Sequence, residues 1–358
     1  MLCTALHRHS IFCIVPPHVL REISKNGSAQ QRDAALHTLA ADATQRALRV
    51  AVGRGRPGGG GSPPAPEGKK QRTVGNAGNI QTMPGEVARR EGDGPTGDVA
   101  VDEAYDGLGA TWDFFWDAYG RNSIDDEGMP LDATVHYGSR YNNAFWNGQR
   151  MVFGDGDGEI FQRFTIALDI IGHELAHGVT QDEAGLVYMF QAGALNESMS
   201  DVFGSLVKQK LLGQTADQGD WLIGAGLFTD KIQGAALRSM KEPGSAYDDS
   251  LLGKDPQPGH MDDYVDTWQD NGGVHINSGI PNRAFYLIAT EIGGYAWDKA
   301  GRIWYETLRD ARLRTNTKFQ RFAELTVDVA GRLYGAGGSE QEAVRGGWSQ
   351  VGIEVKNK

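Results

Sequence analysis

Apolar residues recur at three- and four-residue steps over residues 28–49 (Ala34, Ala35, Leu36, Leu39, Ala43, Ala47 and Leu48), the spacing that lines one face of a helix. Ser28 with Gln31 three residues later is a capping box that would start it. Ahead of this helix lies a short apolar, strand-like piece at 11–15, ended by Pro16-Pro17. Residues 53–68 abandon any period for glycine, proline and arginine, which predicts an exposed flexible linker open to proteases. Beyond it, extended stretches at 73–80 and 132–137 flank a helical pattern at 98–119, carried by Ala104, Tyr105, Leu108, Ala110, Thr111, Phe114, Phe115 and Ala118. Residues 145–153 read as a strand entering the turn Gly154-Asp155-Gly156-Asp157-Gly158. From 165 onward the period is helical, over 165–180, 193–212, 278–292, 295–311 and 317–334. Strands with a helix first and helices afterwards predict an α+β chain: a mixed lobe at 75–185, an all-α lobe at 186–358, a small unit at 1–50 and a linker at 51–74.

Charge changes this picture by giving the front segment a place to go. The chain of 358 residues carries a net −11, but residues 1–75 hold 11 Lys/Arg against 4 Asp/Glu, leaving −18 for the rest. A basic front on an acidic body favours docking within the chain over nucleic-acid binding; a solvated basic linker is the plainer alternative. Both cysteines, Cys3 and Cys13, lie in the front segment, so the body is expected to fold without disulfides. No apolar run approaches the ~18 residues of a membrane span, and 11–15 is too short for an ordinary export signal.

The chemistry concentrates at His173-Glu174-Leu175-Ala176-His177. On a helix the two histidines lie one turn apart on one face and can share a metal ion, with Glu174 beside them to act on water. Asn196-Glu197-Ser198-Met199-Ser200-Asp201 follows on a second helical stretch. Glu197 completes a two-His, one-carboxylate set that leaves a position for water, and Asp201 is a suitable acceptor for the other nitrogen of a ligating histidine.

With Asn142 through Asn147, Met151 through Gly158, Leu237-Arg238-Ser239-Met240 and Asp270 through Gly279, these segments resemble the thermolysin-like neutral zinc metallopeptidases over roughly residues 75–358. The front segment, with Cys13-Ile14-Val15-Pro16-Pro17 and its helix, resembles the short propeptide of the protealysin-like subgroup. The resemblance implies a two-lobed zincin fold, with a mixed α/β N-terminal lobe and an all-α C-terminal lobe, and an endopeptidase that cuts on the amino side of bulky hydrophobic residues. It implies one catalytic zinc on His173, His177 and Glu197, Glu174 as general base, His275 and Tyr188 stabilising the oxyanion, and Asp270 orienting His275. Asn143, Ala144 and Arg238 match residues that hold the substrate backbone. Phe161, Phe164, Ile170 and Leu237 match the pocket for the side chain after the cut bond. The partners implied are peptide and protein substrates and the chain's own propeptide, docked so as to keep a monomeric, secreted precursor latent. No nucleic-acid or membrane partner is expected.

Other readings are weaker. Asp155-Gly-Asp157-Gly-Glu159 fails as an EF-hand loop because its twelfth position is Ile166. His136 reads as a structural histidine, and His260 receives no role. An inactive relative would be marked by loss of Glu174 or a ligand, and a structural zinc protein by a fourth ligand in the body; neither mark is present. Cys13 is either a fourth zinc ligand or a packed cysteine. The family's paired calcium site is expected to be lost: Asp169 keeps one position, but Lys208 stands where an acidic ligand is expected and Gly224-Ala225-Gly226 replaces an acidic stretch. A Lys208–Asp169 contact would take its place, with calcium elsewhere left open.

Overall fold

The structure of the chain, a computed structural model, describes residues 12–52 and 64–356. Cys3 and the central part of the expected linker, 53–63, lie outside the described residues. From 64 the chain touches the rest of the molecule at Ala65, which is buried and whose N–H donates to Gly128 O at 2.8 Å.

The front segment comprises β1 (Phe12–Cys13), α1 (Pro17–Asn26) and α2 (Ala29–Val52). The proline pair opens a helix that the apolar period does not announce: Pro16 is its N-cap and Pro17 its first residue, where a missing N–H costs nothing. The capping box forms as read, with Ser28 N donating to Gln31 Oε1 at 2.8 Å and Gln31 N to Ser28 Oγ at 3.3 Å. Such a cap is worth about 1 kcal/mol.

The mixed lobe is built from β2 (Arg72–Asn76), β3 (Glu86–Arg90), α3 (Val99–Tyr119), β4 (Leu131–Val135), β5 (Ala144–Trp146), β6 (Arg150–Phe153) and α4 (Leu168–Glu183). The stretch at 145–153, read as one strand, is a hairpin: Asn147 Oδ1 accepts from the N–H of Gln149 and Arg150 and turns the chain back. The sheet order is β1-β5-β6-β4-β2-β3, with β2/β4 and β4/β6 parallel and the other pairs antiparallel. The front segment therefore supplies the edge strand of the sheet, covering β5. Helix α3, capped by Asp98 through the N–H groups of Ala100 and Val101, packs on β2 and β4.

The second lobe is helical: α5 (Phe190–Leu212), α6 (Asp270–Asn277), α7 (Gly279–Ile292), α8 (Ala300–Leu308), α9 (Phe319–Tyr334) and α10 (Ser339–Gln350). Helices α6 and α10 were not anticipated from periodicity. Trp304, Phe285, Phe322 and Trp348 form the aromatic core between α7, α8, α9 and α10. Helices α4 and α5 cross where Gly172 faces Gly204; a side chain on Gly204 would drive into Asp169 O, so glycine permits the close approach on which the site depends. Among the described residues, no helix is long and apolar enough to cross a membrane.

Candidate active site

Helix α4 presents His173, Glu174 and His177, and α5 presents Glu197 and Asp201, all fully buried. One donor atom from each of His173, His177 and Glu197 lies within 4.8 Å of the others, and among the described residues no other such cluster occurs. Their hydrogen bonds decide which atoms face inward. His173 Nδ1 meets Asp201 Oδ1 at 2.8 Å, an acceptor-only group, and His177 Nδ1 meets Asn196 Oδ1 at 2.7 Å. Asn196 Nδ2 donates to Leu186 O at 3.2 Å, which fixes its oxygen towards His177. Both Nδ1 atoms therefore carry protons, and the lone pairs of the two Nε2 atoms face each other at 3.0 Å. Burial and His173 push His177 well below its ordinary pKa, which favours a bare Nε2 on that ring. Glu197 Oε2 is buried and has no hydrogen-bond partner among the described residues. Two bare imidazole nitrogens and a carboxylate oxygen converging in a dry interior are the donor set of a zinc ion.

Glu174 Oε2 accepts the N–H of Trp146 at 3.0 Å while Oε1 has no hydrogen-bond partner among the described residues. Burial, reinforced by Glu197, holds this carboxyl well above the usual range, as suits a proton carrier. Opposite it, Tyr188 OH donates to Glu197 Oε1 and lies 3.1 Å from His275 Nε2. Asp270 takes both the Nδ1 (2.6 Å) and the backbone N–H (2.9 Å) of His275. Burial would lower the His275 pKa, but Asp270 and Glu197 outweigh it and raise it to about 9. The turn between them needs left-handed backbone at Asn271, Gly272 and Gly273 (φ 52°, 87° and 73°), and a side chain at Gly272 would collide with the Phe190 ring. What the periodicity places in no element is thus a kinked helix that aims His275.

Arg238 grips Asp201 with two donors, Nε at 2.9 Å and Nη2 at 2.8 Å. Burial works to raise the Asp201 pKa, but Arg238 and His173 prevail and hold it well below the carboxylate range. The free prong, Nη1, reaches Ile14 O at 3.1 Å. Ile14 N donates to Ala144 O at 3.2 Å, Val15 N to Asn143 Oδ1 at 3.0 Å, and His275 Nε2 stands 3.1 Å from Cys13 O. Every residue expected to hold a peptide backbone thus holds Cys13–Val15. The Cys13 carbonyl, not its side chain, faces His275; the side chain packs with Ala41, Tyr137, Tyr141 and Phe145 and is not among the zinc donors. Pro16-Pro17 starts helix α1 directly after this segment. Ile14 is fully buried in the apolar core that also contains Phe161, Phe164, Ile170 and Leu237; Ile170 and Leu237 converge at Gly224, while the Phe161 ring packs at a tilt against those of Phe164 and Phe228.

Several contributors escaped the sequence reading. Asn196 was visible beside Glu197 but had no assigned task. Asn282 Nδ2 donates to Asp201 Oδ2 at 2.8 Å, and Asp42 on α2 takes Asn143 Nδ2 at 3.0 Å and the Tyr141 hydroxyl. No local pattern signals either. Away from the zinc donors, Lys208 Nζ lies 2.7 Å from Asp169 Oδ2, 2.9 Å from Asp220 Oδ1 and 2.8 Å from Leu222 O. His136 links Asp155 and Asp98 at 2.8 and 2.9 Å.

Residues 69–181 match the catalytic-domain family of thermolysin metallopeptidases, residues 184–353 the alpha-helical domain of the same peptidases, and residues 13–40 the protealysin propeptide family. The chain is 53% identical to an "Extracellular metalloprotease" of Pectobacterium carotovorum subsp. carotovorum, covering 97% of this chain and 98% of that one. It is 49% identical to "Protease PrtS" of a Photorhabdus species, over 96% and 93%. Among solved structures, the precursor of protealysin, a metalloproteinase from Serratia proteamaculans, superposes with a TM-score of 0.87 at 56% identity, covering 96% of this chain and 99% of that one.

Proposed function

The chain belongs to the thermolysin metallopeptidase family, and from that premise we propose that Glu174 is its general base, that it cuts before bulky hydrophobic residues, and that Cys13–Val15 occupies the cleft as a substrate would. It is a metalloendopeptidase made with a protealysin-type propeptide. The observation that carries the reading is the strand Cys13–Val15, held by Asn143, Ala144, Arg238 and His275 beside the His173–His177–Glu197 donor set.

Zinc, when bound there, supplies the Lewis acid that polarises the scissile carbonyl and acidifies the attacking water. Glu174 takes a proton from that water and carries it to the leaving nitrogen. His275 and Tyr188 donate to the oxygen on which charge develops, and Asp270 keeps the His275 ring protonated and oriented. Such donors act on the transition state, so removing one lowers kcat more than it raises KM. Ala144 O, Asn143 and Arg238 align the peptide on the side after the cut bond, where they hold Ile14 and Val15. With the Cys13 carbonyl at His275, Ile14 occupies the place of the residue after the cut, which supports a preference for large apolar side chains there.

On the same reading, residues 1–50 are the propeptide, 51–74 carry the maturation cut, and 75–185 and 186–358 are the two lobes. The Lys208 ammonium stands in place of a calcium ion beside Asp169. All catalytic groups come from one chain, which supports a monomer, and the printed name of the Pectobacterium relative supports action outside the cell. Glu174→Gln tests the mechanism: zinc content and fold stay as they are while casein hydrolysis drops by orders of magnitude. Unchanged hydrolysis would remove Glu174 from the reaction.

A further inference from the structure

We propose that the cleft selects a lysine or arginine side chain two residues before the cut bond, through a carboxylate-rimmed cavity beyond Trp146. The inference rests on the peptidase reading above. The cavity, ≈ 600 Å³, is lined by Ile124, Asp125, Trp146, Gly178, Asp182 and Glu183 among others, and by no lysine, arginine or histidine. It reaches Asn196, the residue that holds His177, so it adjoins the zinc donors.

The bound front segment shows which part of a peptide meets it. β1 pairs antiparallel with β5, with Phe12 opposite Trp146 and Cys13 opposite Phe145. Directly opposed residues project from the same face of a sheet. The Trp146 ring lies on the α4 side, its Nε1 3.4 Å from where a Cβ on Gly178 would be. A peptide bound in the register of Cys13–Val15 therefore sends its second residue before the cut bond onto the face where the cavity opens.

The chemistry of the cavity suits a long cation. Ile124, Met129 and Leu186 offer apolar wall for an aliphatic stem. Beneath them, fully buried Arg121 donates to Asp182 at 2.7 Å and also to Glu183, one guanidinium for two carboxylates. Glu183 has a second cation in Arg309 at 3.4 Å, but among the described residues Asp125 has no ion-pair partner, and its Oδ1 takes the N–H groups of Glu127 and Met129. Asp182 remains 42% exposed and can meet an incoming ammonium. Burial raises its pKa against the pull of Arg121, with Glu183 and Asp125 adding to the rise, so added positive charge is welcome there.

The test uses the full chain, matured and loaded with zinc, on peptides that share leucine after the cut bond and differ only two residues before it. At low salt kcat/KM for Arg and Lys exceeds that for Gln about tenfold, Glu falls below Gln, and 1 M NaCl removes most of the difference. Asp182→Asn and Asp125→Asn each shrink the ratio of kcat/KM for the Arg peptide over that for the Gln peptide. Arg no better than Gln, or an advantage indifferent to salt, overturns the proposal on the unaltered enzyme alone, even if a variant fails to fold. Cleavage of none of the peptides would instead overturn the peptidase reading.

Discussion

Asp201 Oδ1 accepts from His173 Nδ1 and from Arg238 Nη2, each at 2.8 Å. One oxygen thus orients a zinc ligand and also anchors the side chain that holds the peptide carbonyl. Asp201→Asn keeps the shape but loses the charge and replaces one acceptor with a donor. Zinc affinity, measured by competition with a chromophoric chelator, is expected to fall 10- to 100-fold. KM should rise as well, because Arg238 would be left buried without its counter-ion. Unchanged zinc affinity would mean that His173 needs no such partner.

The Lys208–Asp169 contact predicts how stability responds to cations. Asp169 is 1% exposed and Lys208 13%, and Asp169 lifts the ammonium pKa against the effect of burial. Lys208→Ala strands a buried carboxylate and is expected to cost about 3 kcal/mol in urea unfolding. Millimolar calcium should leave the thermal midpoint of the unaltered chain where it is. Calorimetry showing two calcium ions bound tightly and cooperatively would contradict this.

His136 donates to Asp155 and Asp98, and the Asp155 hydrogen bond leads the effects that raise its pKa to about 9. Because the folded value lies above the unfolded one near 6.5, the contribution is complete below pH ~6.5 and vanishes as pH rises through about 9. Its size is on the order of 2 kcal/mol, allowing for screening of a side chain that is 21% exposed. The midpoint of unfolding should fall between pH 6.5 and 9, and His136→Gln should flatten that part of the profile. An identical slope in the variant would assign the pH dependence elsewhere.

The zinc donors were legible because helix geometry makes His173 and His177 neighbours and Glu197 sits in a second recognisable segment. Other features were present in the sequence but masked by periodicity. Asn147-Gly148 is a turn signal inside what looked like one strand. Helix α10 has few apolar positions and two glycines, so its period is faint. The exposed residues of β3 give no alternation to read. The contacts of Asp42 were out of reach for a different reason: Tyr141 and Asn143 are 99 and 101 residues away, and only the docked fold brings them together.

Asp42 offers the cleanest test of latency, because on the proposed boundaries it belongs to the propeptide while both of its partners belong to the catalytic lobe. The Asn143 amide is used from both ends. Its nitrogen donates to Asp42, and its oxygen accepts from Val15 N and Ala144 N. Asp42 thereby fixes the orientation in which Asn143 receives the inhibitory strand, and Thr38 one turn earlier on α2 accepts Asn142 N at 3.0 Å to hold the same edge. Asp42→Ala leaves the Tyr141 hydroxyl and the Asn143 amide buried against a methyl group, a cost of about 1–3 kcal/mol that is relieved only when the propeptide lifts away and water reaches them. Precursor activity on a small peptide should rise roughly 5- to 100-fold, while an enzyme cut within the proposed maturation region, and so without residue 42, should keep its kcat/KM. A precursor as silent as the original would place the inhibitory grip entirely in Cys13–Val15.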